Sequence, residues 1–144
     1  MKECLTIFSC KDITEVESLG GVRWFRLSKR RVDACRYVIV FHNAHDARKP
    51  GDPARHRFPV LIAEIWGTHV DPADGRVAVR INRVAPAEGP QQVAGGRWPV
   101  RYEYEELLAG LQIGSWRQVE QTSLEDALAD RESWDAHHPA RRAS

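Results

Sequence analysis

An α+β fold, mainly β, follows from three observations on the 144-residue sequence. Residues 37–41, YVIVF, are β-branched and aromatic and almost free of polar atoms. Residues 58–66 read as a second strong strand and 76–83 alternate apolar with polar residues, and the links between these stretches are rich in Pro, Gly and Asp. The segments with helical spacing are all short. The length has room for one domain and one core. Apolar residues at 42% and charged residues at 28% are ordinary for a folded globular chain. No apolar run approaches the roughly 20 residues of a membrane helix. The start, MKECLTIFSCKD, lacks the long apolar stretch and small-residue cleavage site of a signal peptide. A soluble, cytoplasmic protein with no membrane partner is expected.

Taken in order, Leu5 and Ile7 with Thr6 and Phe8 predict a strand over 4–9. Ser9 and Asp12 offer N-caps for a helix over 12–19, with Ile13, Val16 and Leu19 at helical spacing and Gly20-Gly21 as its stop. Residues 22–27, with Trp24 and Phe25, predict a second strand. The stretch 37–41 predicts a strand buried on both faces. The basic, Pro-rich segment 42–57 reads as a loop. After the strand at 58–66, Asp71-Pro72-Ala73-Asp74-Gly75 has turn chemistry: Pro fixes φ and Gly supplies positive φ. Val77, Val79 and Ile81 then alternate with Arg76, Arg80 and Asn82, as in a half-exposed strand. These three strands are expected to form an antiparallel meander. Residues 85–96 read as a loop, 99–102 as extended, and 104–111 as a short helix with Leu107, Leu108 and Leu111 on one side. Ser123 can cap a last helix near 124–134, with Asp126 as its box partner.

Net charge is +1 but uneven: residues 1–60 carry +5 and residues 61–144 carry −4. Arg23, Arg26, Lys29, Arg30, Arg31 and Arg36 stand against Asp33 alone. Such a patch can hold phosphates, and its plain alternative is a solvated strand and loop. Cys4, Cys10 and Cys35 are odd in number and have no C-x-x-C spacing, so they read as reduced thiols filling core positions.

The pieces LTIF, KDITEVESLGG, RYVIVFHN, PVLIAEIWG, RVAVRINRV and WPVRYEYEEL run from about Leu5 to Leu111. Their order and spacing resemble the PUA-like superfamily, specifically its ASCH and EVE branches. The resemblance implies a small, partly open β-barrel over residues 1–114 with short helices at its ends. A helical extension over 115–136 then packs on it, and 137–144 is a flexible tail. The family's usual role implies binding of RNA or DNA, often of a modified base held in a pocket at one end of the barrel. Two positions depart from the pattern. Ala34-Cys35 stands where many members have Gly-Asp. Gly21-Val22-Arg23 stands where ASCH domains have G-x-K, whose Lys some hydrolytic members use. An Arg stays protonated near neutral pH and cannot be the base or nucleophile, which argues against that amidohydrolase chemistry here.

The candidate base-binding residues are Trp24, His42, Asn43 and Trp66. Indoles offer a stacking face, while His and Asn both donate and accept hydrogen bonds at a strand end. Trp98 is a further aromatic expected near a barrel end, and Trp116 and Trp134 are expected to anchor the C-terminal segment. The candidate phosphate-binding residues are Arg23, Arg26, Arg30 and Arg31. A rival reading is a small hydrolase acting on a modified nucleoside, with Glu64, Cys10 and His42 as its chemical groups. Sequence leaves open whether Glu64 points inward with a raised pKa or outward into solvent. His42, His45 and Asp46 are all metal-ligand types, but their spacing matches no strong zinc pattern, so no metal and no cofactor is expected. A third reading is a protein-interaction module docking through the C-terminal helix.

Overall fold

The computed structural model describes residues 2–92 and 99–137. Strand β1 is Glu3–Ser9, β2 Gly21–Phe25, β3 Tyr37–His42, β4 Pro59–Val70, β5 Val77–Glu88 and β6 Val100–Tyr104. Two short strands follow, β7 at Gln112–Ile113 and β8 at Arg117–Gln118. Helix α1 covers Ile13–Leu19, α2 Lys29–Asp33 and α3 Leu124–His137. The strands lie in the order β2-β5-β4-β3-β1-β6, with β7 and β8 both paired to β5. The sheet is curled into an open half-barrel, so the fold is mostly β with a few short helices.

The antiparallel meander is β3-β4-β5, with Val38 opposite Ala63 and Ile62 opposite Ala85. Strand β1 joins it in parallel to β3, Leu5 opposite Val38 and Ser9 opposite His42. Parallel strands need a long crossover, which α1, β2 and α2 supply. The consequence for function is positional: β1 and β3 end at the same edge of the sheet.

Local chemistry explains the helix ends. Asp12 caps α1 by accepting from the Glu15 amide, and Glu15 returns a bond to the Asp12 amide, a reciprocal capping box. Gly20 ends α1 at φ 71°, a left-handed conformation that glycine adopts without penalty. Helix α2 lies where the sequence predicts strand and loop. Ser28 caps it through the Arg31 amide, and this cap ends β2 at Phe25 rather than Leu27.

Both faces of β3 are covered, as its apolar run requires. Val38 and Val40 join Leu5, Val16, Leu61, Val79 and Ile81 inside the curl. Ile39 and Phe41 join Cys4, Ile62 and Ala85 on the other side, under Leu107, Leu108, Leu111 and Trp116. The segment carrying Leu107 and Leu108 is a 3₁₀ helix at Glu105–Gly110, with Leu111 as its C-cap, not an α-helix. Strand β4 runs on to Val70 and β5 to Glu88, beyond their expected ends. Strand β5 runs through Pro86, which has no N–H to donate but whose carbonyl accepts from the Gly114 amide. The register of β4 slips at Glu64–Ile65 and again at Ile65–Gly67. Trp66 is the residue left without a cross-strand partner at the second slip, and the bulge turns it outward, 60% exposed. Helix α3 extends to His137, and residues 138–144 of the expected tail lie outside the described residues. No helix among the described residues is long and apolar enough to cross a membrane.

Candidate functional site

A cavity of about 420 Å³ opens at the edge where β1 and β3 end. Its wall is built by segments far apart in sequence. The exit of β1 contributes Phe8 to Lys11, and β2 with the residue after it contributes Arg23 to Arg26. The loop after β3 gives Asn43, Asp46 and Arg48, and the start of β5 gives Arg76. Helix α3 closes one side with Asp130, Arg131, Trp134 and Asp135. The backbone ties the two strand exits together, the Asn43 amide donating to the Ser9 carbonyl at 2.8 Å.

Four of the candidate base- and phosphate-binding residues meet here: Trp24, Asn43, Arg23 and Arg26. Arg23 is the most enclosed, its side chain 5% exposed. It donates to the Leu19 carbonyl and pairs with Asp130 at 3.2 Å. Burial pulls its pKa below the ordinary arginine value and Asp130 opposes that, but a guanidinium stays charged throughout. The Trp24 indole has Arg131 stacked 5.3 Å from its centre, and its Nε1 is buried with no acceptor among the described residues. Asn43 uses its carbonyl oxygen to accept from the His45 amide, which fixes its orientation. Arg26 is exposed at the rim.

Of the remaining candidates, Cys10 and Asp46 also line the cavity, whereas His42, Trp66, Arg30, Arg31 and Glu64 do not. His42 points its ring against Gly51, so closely that a Cβ there would overlap it. Burial, then the charge of Arg55, lower the His42 pKa, so the ring is neutral near pH 7. Trp66 stands on the outer bulge. Arg31 pairs with Glu3 at 2.8 Å and lies 4.0 Å above the Tyr102 ring, and Arg30 is exposed beside it on α2. Trp98 lies outside the described residues. His45 packs on His56 at 4.1 Å, and Asp46 pairs with Arg48 at 3.1 Å.

No match to this chain is found among family models, curated proteins or solved structures. Chemistry must therefore be read from the side chains themselves. Glu64 accepts from Asn82 and from Arg83, each at 2.9 Å, with Arg36 at 3.6 Å. Burial alone would raise its pKa, but these bonds and charges outweigh it and hold the carboxyl below its ordinary value. Glu64 is thus an ion-paired carboxylate outside the cavity, ill-suited to donate a proton near pH 7. Cys10 does face the cavity. Burial and then the Asp46 charge raise its pKa, and the thiol donates to Asp46, so it stays neutral. A neutral thiol is a weak nucleophile.

Several cavity residues escape sequence reasoning. Lys11 sits with its ammonium 3.7 Å from the Trp134 ring centre, and Arg48 stacks on the same ring at 4.8 Å. Arg76 reaches the Trp24 carbonyl at 3.3 Å. Arg131 pairs with Asp71 and with Asp74, the latter at 2.7 Å. Nothing in the local sequence around Lys11 or Trp134 marks them, because their meeting depends on where α3 docks. A second, more open depression between α1 and α3 is lined by Glu17, Glu120, Asp126 and Asp130. Its acidic lining repels phosphate.

Proposed function

We propose that this chain is a nucleic-acid-binding module of the PUA-like type, and that the cavity at the end of β1 and β3 receives one base. The observation that carries this reading is the convergence of Trp24, Asn43, Arg23 and Arg26 on one cavity. An indole supplies a stacking face, an oriented amide can read a base edge, and arginines answer phosphate. The volume of about 420 Å³ lies within the range of small-molecule sites and is ample for one base with its sugar. A modified base is the finer form of the same reading, resting on the family resemblance.

Binding rather than turnover is favoured by the state of the candidate chemical groups. Glu64 is ion-paired away from the cavity and Cys10 is held as a neutral thiol. The test is fluorescence anisotropy with a labelled single-stranded oligonucleotide across a salt series. Trp24→Ala should weaken binding by about 5- to 150-fold, the equivalent of ~1–3 kcal/mol of stacking. Arg26→Ala should flatten the log–log salt slope by about 0.7–0.9 for one lost phosphate contact. Arg30→Ala/Arg31→Ala, away from the cavity, should leave the slope nearly unchanged. Wild-type binding that Trp24→Ala leaves intact would remove the cavity from the interface. No binding to any strand would shift attention to the exposed Trp66, Val70, Tyr104 and Ile113 as protein-docking positions.

A further inference from the structure

Six cationic side chains line the cavity: Lys11, Arg23, Arg26, Arg48, Arg76 and Arg131. Four are already committed to carboxylates. Arg23 pairs with Asp130, Arg48 with Asp46, Arg76 with Asp74, and Arg131 with both Asp71 and Asp74. Among the described residues, Lys11 and Arg26 make no ion pair. The two differ in solvation. Arg26 is exposed, and water satisfies it. Lys11 is half-buried, with the Trp134 ring on one side of its ammonium.

A partly desolvated ammonium with no carboxylate partner is unfavourable in the free protein. Its neighbours explain why it stays that way. The Asp46 carboxylate is engaged by the Arg48 guanidinium and the Cys10 thiol. Lys49 is drawn to Asp12 and Glu15 on α1. From α3, Asp130 is held by Arg23, and Asp135 acts on Arg48. Asp46, Asp130, Asp12 and Glu15 thus each have another cation, and an anion entering the cavity finds Lys11 ready to pair.

Resting on the nucleic-acid reading of this cavity, we infer that Lys11 receives the phosphate attached to the nucleoside bound there. A compact ammonium with three donors suits a phosphate oxygen. Arg23, the enclosed arginine, is instead spent on Asp130 of α3. The inference has a consequence in pH. Burial brings the Lys11 pKa down to about 8, with Arg48 and Lys49 acting in the same direction and Cys10 and Asp46 opposing. Phosphate affinity should therefore be high below that pH and fall as Lys11 loses its proton.

The experiment measures anisotropy of the labelled strand from about pH 7 to about pH 9.5, a range in which a phosphodiester does not titrate. Wild type, Lys11→Gln and Lys11→Arg are compared, with adenosine 5′-monophosphate and adenosine as competitors. Wild-type affinity should fall roughly tenfold across this range, and Lys11→Gln should be roughly tenfold weaker at the acidic end and match wild type at the alkaline end. Lys11→Arg should bind with no pH dependence, because a guanidinium stays protonated. Such a profile cannot come from misfolding alone. Competition by the monophosphate but not by adenosine identifies a terminal phosphate as the ligand group. Competition by neither, with the strand still bound, identifies a backbone phosphodiester. A flat wild-type profile with Lys11→Gln binding normally, while Trp24→Ala still weakens the complex, overturns the role of Lys11 and leaves the cavity reading intact. Failure of the wild type to bind strand or nucleotide at every pH overturns both.

Discussion

Helix α3 forms one wall of the cavity, and the structure identifies Arg131 as its main polar anchor. Arg131→Ala removes both of its ion pairs, to Asp71 and to Asp74. Asp74 is exposed and contributes little, since solvent screens such pairs. Asp71 is different, with its side chain 9% exposed. It also shapes the turn before β5 by accepting from the Ala73 amide at 2.8 Å. Breaking a fully buried pair costs about 3–5 kcal/mol, and a hydrogen bond to a charged group is worth about 1.5–3 kcal/mol. Arg131 is 21% exposed, so water can partly replace it, and the lower range applies. The working value is about 1.5–2.5 kcal/mol, or roughly 10- to 70-fold in the opening equilibrium of α3. Native-state hydrogen exchange followed by mass spectrometry reads this directly. Amides of 128–137 should exchange faster by that factor while those of β3 and β4 keep their protection. In a double-mutant cycle with Asp71→Asn, the combined effect should be smaller than the sum, because both changes break one interaction. Exchange in α3 unchanged to within about twofold would refute the argument. It would mean that the buried Ala127 and the cation-covered Trp134 hold the helix without Arg131.

Two further outcomes are expected. Lys11→Met should raise the melting temperature near pH 7, because it removes a desolvated charge. The sign of the linked pH effect is definite: the folded-state pKa near 8 lies below the ordinary 10.5, so the unfolded chain binds more protons between these values. Wild-type stability should accordingly rise with pH through that window, and the rise should shrink in Lys11→Met when urea midpoints are compared. Cys10 should react slowly with iodoacetamide at pH 8. Asp46→Asn should speed the reaction several-fold by removing the carboxylate charge that helps keep the thiol protonated, as peptide mapping of the alkylated residue would show.

The fold was legible wherever one residue type had one physical option. YVIVF can only be a strand covered on both sides, and the structure covers it on both sides. Asp12 with Glu15, and Gly20 after Leu19, bracket a helix by local bonding alone. What escaped was decided by distant partners. Residues 29–33 are too polar to show helical periodicity, and their helix depends on the Ser28 cap. Pro86 reads as a strand breaker, yet β5 runs through it, paired on one side with Leu61. Trp66 follows the alternation of its strand until a bulge turns it out, and a bulge leaves no mark in one sequence.

The site divides along the same line. The cluster from Arg23 to Arg36 reads as one basic patch because charge is visible in sequence and pairing is not. The fold sorts it by geometry. Lys29 is taken by Asp33, four residues along its own helix, Arg31 by Glu3 and Arg36 by Glu64. Arg23 is turned into the cavity and spent on Asp130, more than a hundred residues later. A patch of six cations is thereby reduced to Arg26 at the rim, with Arg30 exposed on α2. The same sorting, applied to cations that no local run singles out, leaves Lys11 unpaired inside. Net charge therefore misleads about where an anion can bind in this chain. The informative quantity is charge left over after the folded pairs are formed, and that remainder lies beside the indoles of Trp24 and Trp134.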